Sequence, residues 1–287
     1  MAISKTEPLI GAHVSVAGGL VFGVENAKKI GAEAIQIFGS SPRQWHVRMP
    51  PAQEIQKYKE ALDKSTVKAV FLHAPYLVNL ATSDAAQMAK SIHALSAHFQ
   101  IAENIGAQGL IFHIGSGKEL PKEQAFEKVM KAMKKVLDDV PGSSYLIIEN
   151  SAGGGQKIGS NIDDIKAIMD AVGSRRVKAC IDTAHAFEAG IIEHYSPEEI
   201  KDFFDEWDTK IGIEHLAAFH VNDSKTAFNS HHDRHENIGQ GFIGLKGFEN
   251  LAREKRLYHA PWLLEVPGFD NFGPDKKNVD ILKKLFL

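Results

Sequence analysis

Residues 219–241 read FHVNDSKTAFNSHHDRHENIGQG. The stretch leaves an apolar run and then spends His220, Asp223, His231, His232, Asp233 and His235 almost at once. Other short apolar runs close in the same way, with His73, with His113, with Glu149, with Asp182 and His185, and with Glu265. A lone His at such a position is more often a hydrogen-bonded core residue than a ligand, and a lone acid is more often a cap or a solvated charge. Gathered on one rim, however, four carboxylates repel each other and lose hydration, so they need cations. No comparable Lys/Arg cluster closes those runs, which makes metal ions the natural counter-charge. Imidazole and carboxylate without thiolate suit zinc, manganese or iron rather than magnesium or calcium alone. Five His and four carboxylates exceed one tetrahedral site and suit two or three ions with a bridging carboxylate. Clustered ions of this kind are the usual apparatus of phosphoryl transfer, activating water and holding both attacking and leaving oxygens.

The elements that must position these groups follow a rhythm. Apolar runs recur at 8–15, 32–39, 67–75, 108–115, 144–151, 177–185, 216–223 and 261–268. They are rich in Val, Ile, Leu and Phe and too short for helices, so they read as strands. Between them, residues 83–106, 122–140 and 161–173 carry helical stripes. Gly106 is placed to cap the first of these helices, and Ser160 or Asn161 to start the third. Eight strands alternating with helices imply a parallel sheet, and eight such units most naturally close into an α/β (β/α)8 TIM barrel spanning 1–287 as one domain. An open doubly wound sheet is the alternative, but GGGQKIG (153–159) is neither a dinucleotide fingerprint nor a P-loop. Barrel strands end at the active-site face, which is where the nine groups fall. In Asp233-Arg234-His235 the two ligand types lie on one side of an extended segment.

Composition narrows the class. The chain has 287 residues, 44% hydrophobic and 24% charged, with a formal net charge of −3. Bulk charge therefore gives no support for nucleic-acid binding, although bound divalent ions would shift the balance. The one cysteine, Cys180, sits in an apolar run, so no disulfide framework is possible and a buried thiol is expected. The first residues lack a signal-peptide pattern, and no apolar run reaches a membrane span. These features lead us to expect a soluble, cytoplasmic protein with no membrane partner.

The motifs IGAHVSVAGGL (10–20), HAPYLVNLA (73–81), ENSAGGG (149–155), CIDTAHAFEAG (180–190), HVNDSKTAFNSHHDRHENIGQGFIG (220–244) and LLEVP (263–267) carry a resemblance over nearly the whole chain. The chain resembles endonuclease IV, the zinc-dependent apurinic/apyrimidinic endonucleases. That resemblance implies the same barrel and three Zn2+ ions, with partial Mn2+ as a variant. His73 and His113 would hold one ion, and Glu149 would bridge it to a second. Asp182, His220 and Glu265 would complete the second, and His185, Asp233 and His235 would hold the third. Glu149 takes the catalytic role as the bridge beside the attacking water. The implied reaction is hydrolysis of the phosphodiester 5′ to an abasic site in duplex DNA, leaving a 3′-hydroxyl and a 5′-deoxyribose phosphate, with trimming of blocked 3′ ends. The enzyme class is deoxyribonuclease IV, a phosphoric diester hydrolase of base-excision repair, expected to be a monomer.

The resemblance also implies that Arg43, Tyr76 and Leu77 fill the gap left by a flipped abasic nucleotide. An aromatic, an aliphatic and a guanidinium beside a metal site can wedge between base pairs, though loop packing and a solvated charge are the plainer alternatives. Gln44, Lys225 and Arg234 are further candidate DNA contacts. Two positions depart from the family pattern. Asn229 stands where Gly is frequent, and Asn tolerates the positive φ such a turn needs. Val266 stands where Thr is common, which removes a hydroxyl beside Glu265 without removing a ligand. His231 and His232 read as solvent-facing loop residues, and His13 as a hydrogen-bonding neighbour rather than a ligand. The rival class is a metal-dependent sugar isomerase or epimerase on the same barrel. A barrel endonuclease for ultraviolet photoproducts and a catalytically dead damage-binding protein are weaker alternatives.

Overall fold

A computed structural model describes residues 7–118 and 120–287. Among the described residues are ten strands and nine α-helices, eight of the strands alternating with helices as expected. They are β1 (Ile10–His13), α1 (Val21–Ile30), β2 (Ala34–Phe38), α2 (Ala52–Asp63), β3 (Ala69–His73), α3 (Ala85–Ile105), β4 (Gly109–His113), α4 (Lys122–Asp139), β5 (Tyr145–Glu149), α5 (Ile162–Val172), β6 (Val177–Asp182), α6 (Thr183–Glu188), α7 (Pro197–Lys210), β7 (Leu216–His220), β8 (Asp223–Ser224), β9 (His235–Glu236), α8 (Gly244–Leu251), β10 (Trp262–Leu264) and α9 (Lys276–Lys284). Eight strands close a parallel barrel in the order β1-β10-β7-β6-β5-β4-β3-β2, and β8 and β9 form a separate antiparallel pair. No described helix is long and apolar enough to cross a membrane.

Identifiable residues start and stop the helices. Asp84 caps α3, accepting from the Ala86 and Gln87 amides, and Gly106 ends that helix at φ 76°. Asn161, rather than Ser160, caps α5 through the Asp164 amide. Ser196 and Glu199 form a capping box at the start of α7, with Pro197 at its first position.

The core has two layers. The larger lies between sheet and helices. The smaller fills the barrel interior with Ala34, Ala69, Phe71, Ile111, Ile147, Cys180, Ala218 and Leu263. Around the barrel, the small Ala218 and Cys180 on β7 and β6 sit together, and the larger Ile147, Ile111 and Phe71 on β5, β4 and β3 sit together. Because side chains on a strand point alternately inward and outward, the next inward residue lies two positions later. Phe71 is followed inward by His73, Ile111 by His113, Ile147 by Glu149, Cys180 by Asp182, Ala218 by His220 and Leu263 by Glu265. The apolar layer is therefore the floor on which the chemical layer stands. We expect Phe71→Ala to destabilise the fold by about 3–5 kcal/mol, measured by chemical denaturation. Wild-type stability in that variant would show that the floor is not packed as described.

Candidate metal centre

Three groups of side chains meet above this floor. His73, His113 and Glu149 form one. Glu149, Asp182, His220 and Glu265 form the second, and Asp182, His185 and His235 the third. Within each group, one potential ligand atom per residue lies within 4.8 Å of the others. Glu149 belongs to two groups, and its carboxylate spans them. Its Oε2 faces His73 Nε2 at 2.9 Å and His113 Nε2 at 3.5 Å, whereas its Oε1 faces His220 Nδ1 at 3.0 Å and His185 Nδ1 at 3.3 Å.

Eight of the nine sequence candidates enter these groups. The ninth, Asp233, completes the third from the outer side, 3.3 Å from His185 Nε2 and 3.6 Å from His235 Nε2. One placement differs from the sequence expectation. His185 is not at a strand end: β6 stops at Asp182, and His185 lies in the first turn of α6. Asp182 is the reason, because its Oδ1 accepts the His185 amide at 3.0 Å and starts the helix.

The imidazoles are oriented by acceptors behind them. The Nδ1–H groups of His73, His185 and His235 donate to the carbonyls of Ala74, Asn150 and Glu265. Since a carbonyl can only accept, this fixes the proton on Nδ1 and turns Nε2 toward the cluster. The Nε2 atoms of His185 and His235 are buried and make no hydrogen bond with the described residues. His220 is reversed: its Nε2–H donates to Gln36 Oε1 at 2.8 Å, leaving Nδ1 inward. Gln36 Nε2 donates to the Glu265 carboxylate at 2.5 Å, which fixes that amide's orientation.

The site demands positive charge. Burial opposes charge on His73, yet Glu149 outweighs it and holds the imidazole above its ordinary value. The same contest, against burial, raises His185 through Asp182 and Asp233, and raises His220 through Cys180, Glu265 and Glu149. Glu149 is lowered well below the carboxylate range despite its burial, chiefly by His113 and His220. At His113, by contrast, burial wins and lowers the pKa. Oriented imidazole lone pairs, buried carboxylates and unpaired ring nitrogens fit divalent cations that prefer mixed nitrogen and oxygen donors.

Sequence reasoning missed the residues that hold the ligands. Gln36, on β2, follows the inward Ala34 by two positions, so strand alternation alone could have found it. Asn222 donates to Asp182 Oδ2 at 2.6 Å and accepts the Glu265 amide at 2.7 Å. Asn150 accepts the Asp182 amide at 2.6 Å. His13 stands 3.3 Å from Glu265 Oε1 and 2.9 Å from Gln36 Nε2, in keeping with a hydrogen-bonding neighbour. Asp223, a potential ligand by type, points away from the cluster's partners and organises the loop instead. It is buried and accepts five backbone amides, from Ser224, Gly239, Gly241, Ile243 and Gly244. Burial lifts its pKa, while the Gly241, Gly244 and Ile243 amides pull it back. His231 and His232 are both exposed. His231 nevertheless adopts φ 58°, and its Nδ1 lies 3.3 Å from the Ala152 carbonyl. Asn229 takes φ 59°, the conformation expected of it.

The cluster opens into a cleft of about 1060 Å³, lined among others by Phe38, Tyr76, Arg234, Val266 and Phe272. Tyr76 is 64% exposed and meets Phe38 edge-on at 5.5 Å. Leu77 beside it is half-buried. Arg43 and Gln44 are exposed and follow Ser41 and Pro42, which line the cleft. Lys225 is exposed on the β8–β9 connection, 3.9 Å from Glu236.

A closed parallel barrel with His and carboxylate groups at its mouth defines a class, and the profile described as "Xylose isomerase-like TIM barrel" matches residues 24–285. Within that class, the chain is 34% identical over 276 residues to a probable endonuclease 4 of Halothermothrix orenii, covering 96% of this chain and 99% of the relative. It is 34% identical to a probable endonuclease 4 of Aquifex aeolicus, covering 97% and 98%. The crystal structure of endonuclease IV from Thermus thermophilus superimposes with a TM-score of 0.84 at 30% identity, covering 97% of this chain and 98% of that one. The chain belongs to the endonuclease IV family. A D-tagatose 3-epimerase-like protein shares the fold alone, with a TM-score of 0.69 at 17% identity and coverage of 96% of each chain.

Asp223→Ala removes the acceptor of five amides around the loop that carries Asp233 and His235. We expect it to cost about 3 kcal/mol in denaturant titration. Unchanged stability would mean that the loop is held by other contacts.

Proposed function

We propose that this protein is a DNA-repair endonuclease that hydrolyses the phosphodiester 5′ to abasic sites in duplex DNA, using three zinc ions. The observation that carries this reading is the convergence of nine His and carboxylate side chains on one rim, in a member of the endonuclease IV family. His73, His113 and Glu149 would hold one ion. Glu149, Asp182, His220 and Glu265 would hold the second, and His185, Asp233 and His235 the third. Bound zinc would activate water and neutralise charge on the attacking and leaving oxygens.

The chain's own residues supply the rest. The two oxygens of Glu149 face different imidazole pairs, which suits a bridge that fixes the spacing of two ions. The carbonyls behind His73, His185 and His235 keep the inward nitrogens available. Tyr76 and Leu77, with Arg43, are the candidates for filling the duplex where an abasic nucleotide is extruded. Extrusion costs less there because the base is already gone. Gln44, Lys225 and Arg234 are the further candidates for DNA contact. The same site would accept blocked 3′ ends, whose phosphoester presents the same chemistry. We read 1–287 as one barrel domain acting as a cytoplasmic monomer.

The test is incision of a 5′-labelled duplex carrying one abasic analogue, with and without a zinc chelator, alongside a metal count. We expect incision 5′ to the lesion, about three zinc ions per chain, and loss of activity on chelation that added zinc restores. Glu149→Ala should lose incision. Full activity in that variant would overturn the bridged cluster. No incision by fully zinc-loaded protein would favour a sugar isomerase or epimerase instead.

Tyr76→Ala should weaken binding to abasic duplex by about 1–3 kcal/mol while leaving the zinc content intact, as read by fluorescence anisotropy. Unchanged affinity would remove Tyr76 from the proposed wedge.

A further inference from the structure

The turn after β10 lines the same cleft as Tyr76 of the loop after β3, and its Phe272 is 92% exposed. A single exposed aromatic is unremarked on most proteins. This one stands on a backbone that is tied at every step. The Gly273 amide donates to the Pro267 carbonyl at 2.8 Å, and the Asn271 amide to the Gly268 carbonyl at 3.2 Å. The Phe272 amide donates to Asp270 Oδ1 at 3.0 Å, and the Phe269 amide to Asp275 Oδ2 at 2.6 Å. Asp275 also caps α9 through the Asn278 amide. Gly268 sits at φ 80°, where a Cβ would collide with the Gly273 carbonyl oxygen, so the two ends of the turn are in contact. The turn is thus pre-shaped, and its central side chain faces out over the cleft.

The surroundings decide what that ring can meet. A protein-docking patch needs contiguous apolar surface, but Phe272 is flanked by Asp270, Asn271, Gly273, Pro274 and Asp275. Phe269, the nearest aromatic in sequence, already has its face covered by the Lys277 ammonium at 3.5 Å from the ring centroid. An isolated, solvent-facing ring on a hydrogen-bonded turn beside the cleft is suited to one flat apolar partner. A nucleobase has such a face, and every base has one.

We propose that Phe272 is a stacking platform for a nucleobase of the bound DNA, at the cleft that Tyr76 also lines. The inference rests on the DNA-endonuclease reading above. The base comes either from the lesion strand beside the abasic nucleotide or from the opposite strand, and the two sources are separable.

The test uses zinc-loaded protein and an abasic-analogue duplex made uncleavable by a methylphosphonate linkage 5′ to the lesion. 2-Aminopurine is placed in turn beside the lesion and opposite it. Phe272→Ala and Phe272→Leu should bind about 5- to 100-fold more weakly, and Phe272→Trp should restore affinity. Zinc content, thermal unfolding and the incision rate at saturating cleavable DNA should not move, so that KM rises while kcat holds. The 2-aminopurine position whose fluorescence differs between wild type and Phe272→Leu identifies the strand. Wild-type affinity in both Phe272→Ala and Phe272→Leu would overturn the platform while leaving the nuclease reading standing. Wild-type affinity in Phe272→Leu alone would also overturn it, by reducing the contact to apolar bulk. Wild-type protein that neither binds nor incises abasic DNA would defeat the nuclease reading, and the platform with it.

Discussion

The two-residue period of a β-strand governs this molecule. A barrel closes only if each strand turns one face inward, and that face must pack. Here the inward positions are apolar for one layer and ionisable for the next, as in Ile147 and Glu149 or Ala218 and His220. A shift of one residue in any strand would exchange a floor residue and a ligand for two outward ones. The registers of β4 with β5 and of β6 with β7 therefore matter twice. They pair Phe112 with Ile148 and His113 with Glu149, and they pair Asp182 with His220. The packing that stabilises the barrel is also what sets the distances in the candidate metal centre.

The second consequence is electrostatic. Stacking a charged layer on a dry one leaves little room for water to solvate it, so the groups must satisfy one another. They do so in a graded way. Backbone carbonyls and the amides of Gln36, Asn150 and Asn222 take the outward-facing hydrogen bonds. The inward nitrogens and oxygens are left facing each other across gaps of 2.9–3.8 Å. Carboxylates pulled down beside imidazoles pulled up, as at Glu149 with His73 and His220, are the signature of opposite charges held close together away from water. Cys180 beneath the site is shifted too: burial first, then the neighbouring acids, push its thiol up to about 11 against the pull of His220. It stays a neutral part of the floor, as its apolar setting suggested.

Much of this was legible in the sequence because strand ends and apolar runs are local signals. The eight runs, the caps at Asn161 and Gly106, and the identities at the strand ends are all readable without knowing what lies opposite. Three things were not. His185 reads as the end of an apolar run, but the carboxylate of Asp182 captures its amide and begins a helix there. Asp223 has the residue type of a ligand, and only the five amides converging on it from residues 224–244 reveal a loop clamp. Gln36 and Asn222 carry no charge to attract notice, and their importance depends on partners far away in the chain, such as Glu265 for Gln36 and Asp182 for Asn222. Polar residues that orient others are the hardest to read, since their role is set by tertiary contacts rather than by their own chemistry.

The barrel by itself does not decide the reaction, because one architecture at 17% identity also serves an epimerase-like protein. The chain builds further material above the floor. The β7 strand runs into a hairpin whose two short strands pair Ser224 with His235. Buried Glu188 ties that hairpin from α6, accepting from the Ser224 hydroxyl and the Arg234 amide. Asp233 and His235 are thus delivered to His185 by a loop, whereas most of the other ligand candidates come from the barrel. An acidic chain can serve an anionic polymer under this arrangement. Its buried acids Glu149 and Asp182 are turned inward, where cations can neutralise them, and the cleft lining includes the aromatic Tyr76 and Phe272 and the basic Arg234. Local charge and shape at the opening, rather than the net charge of −3, then set what the cleft can receive.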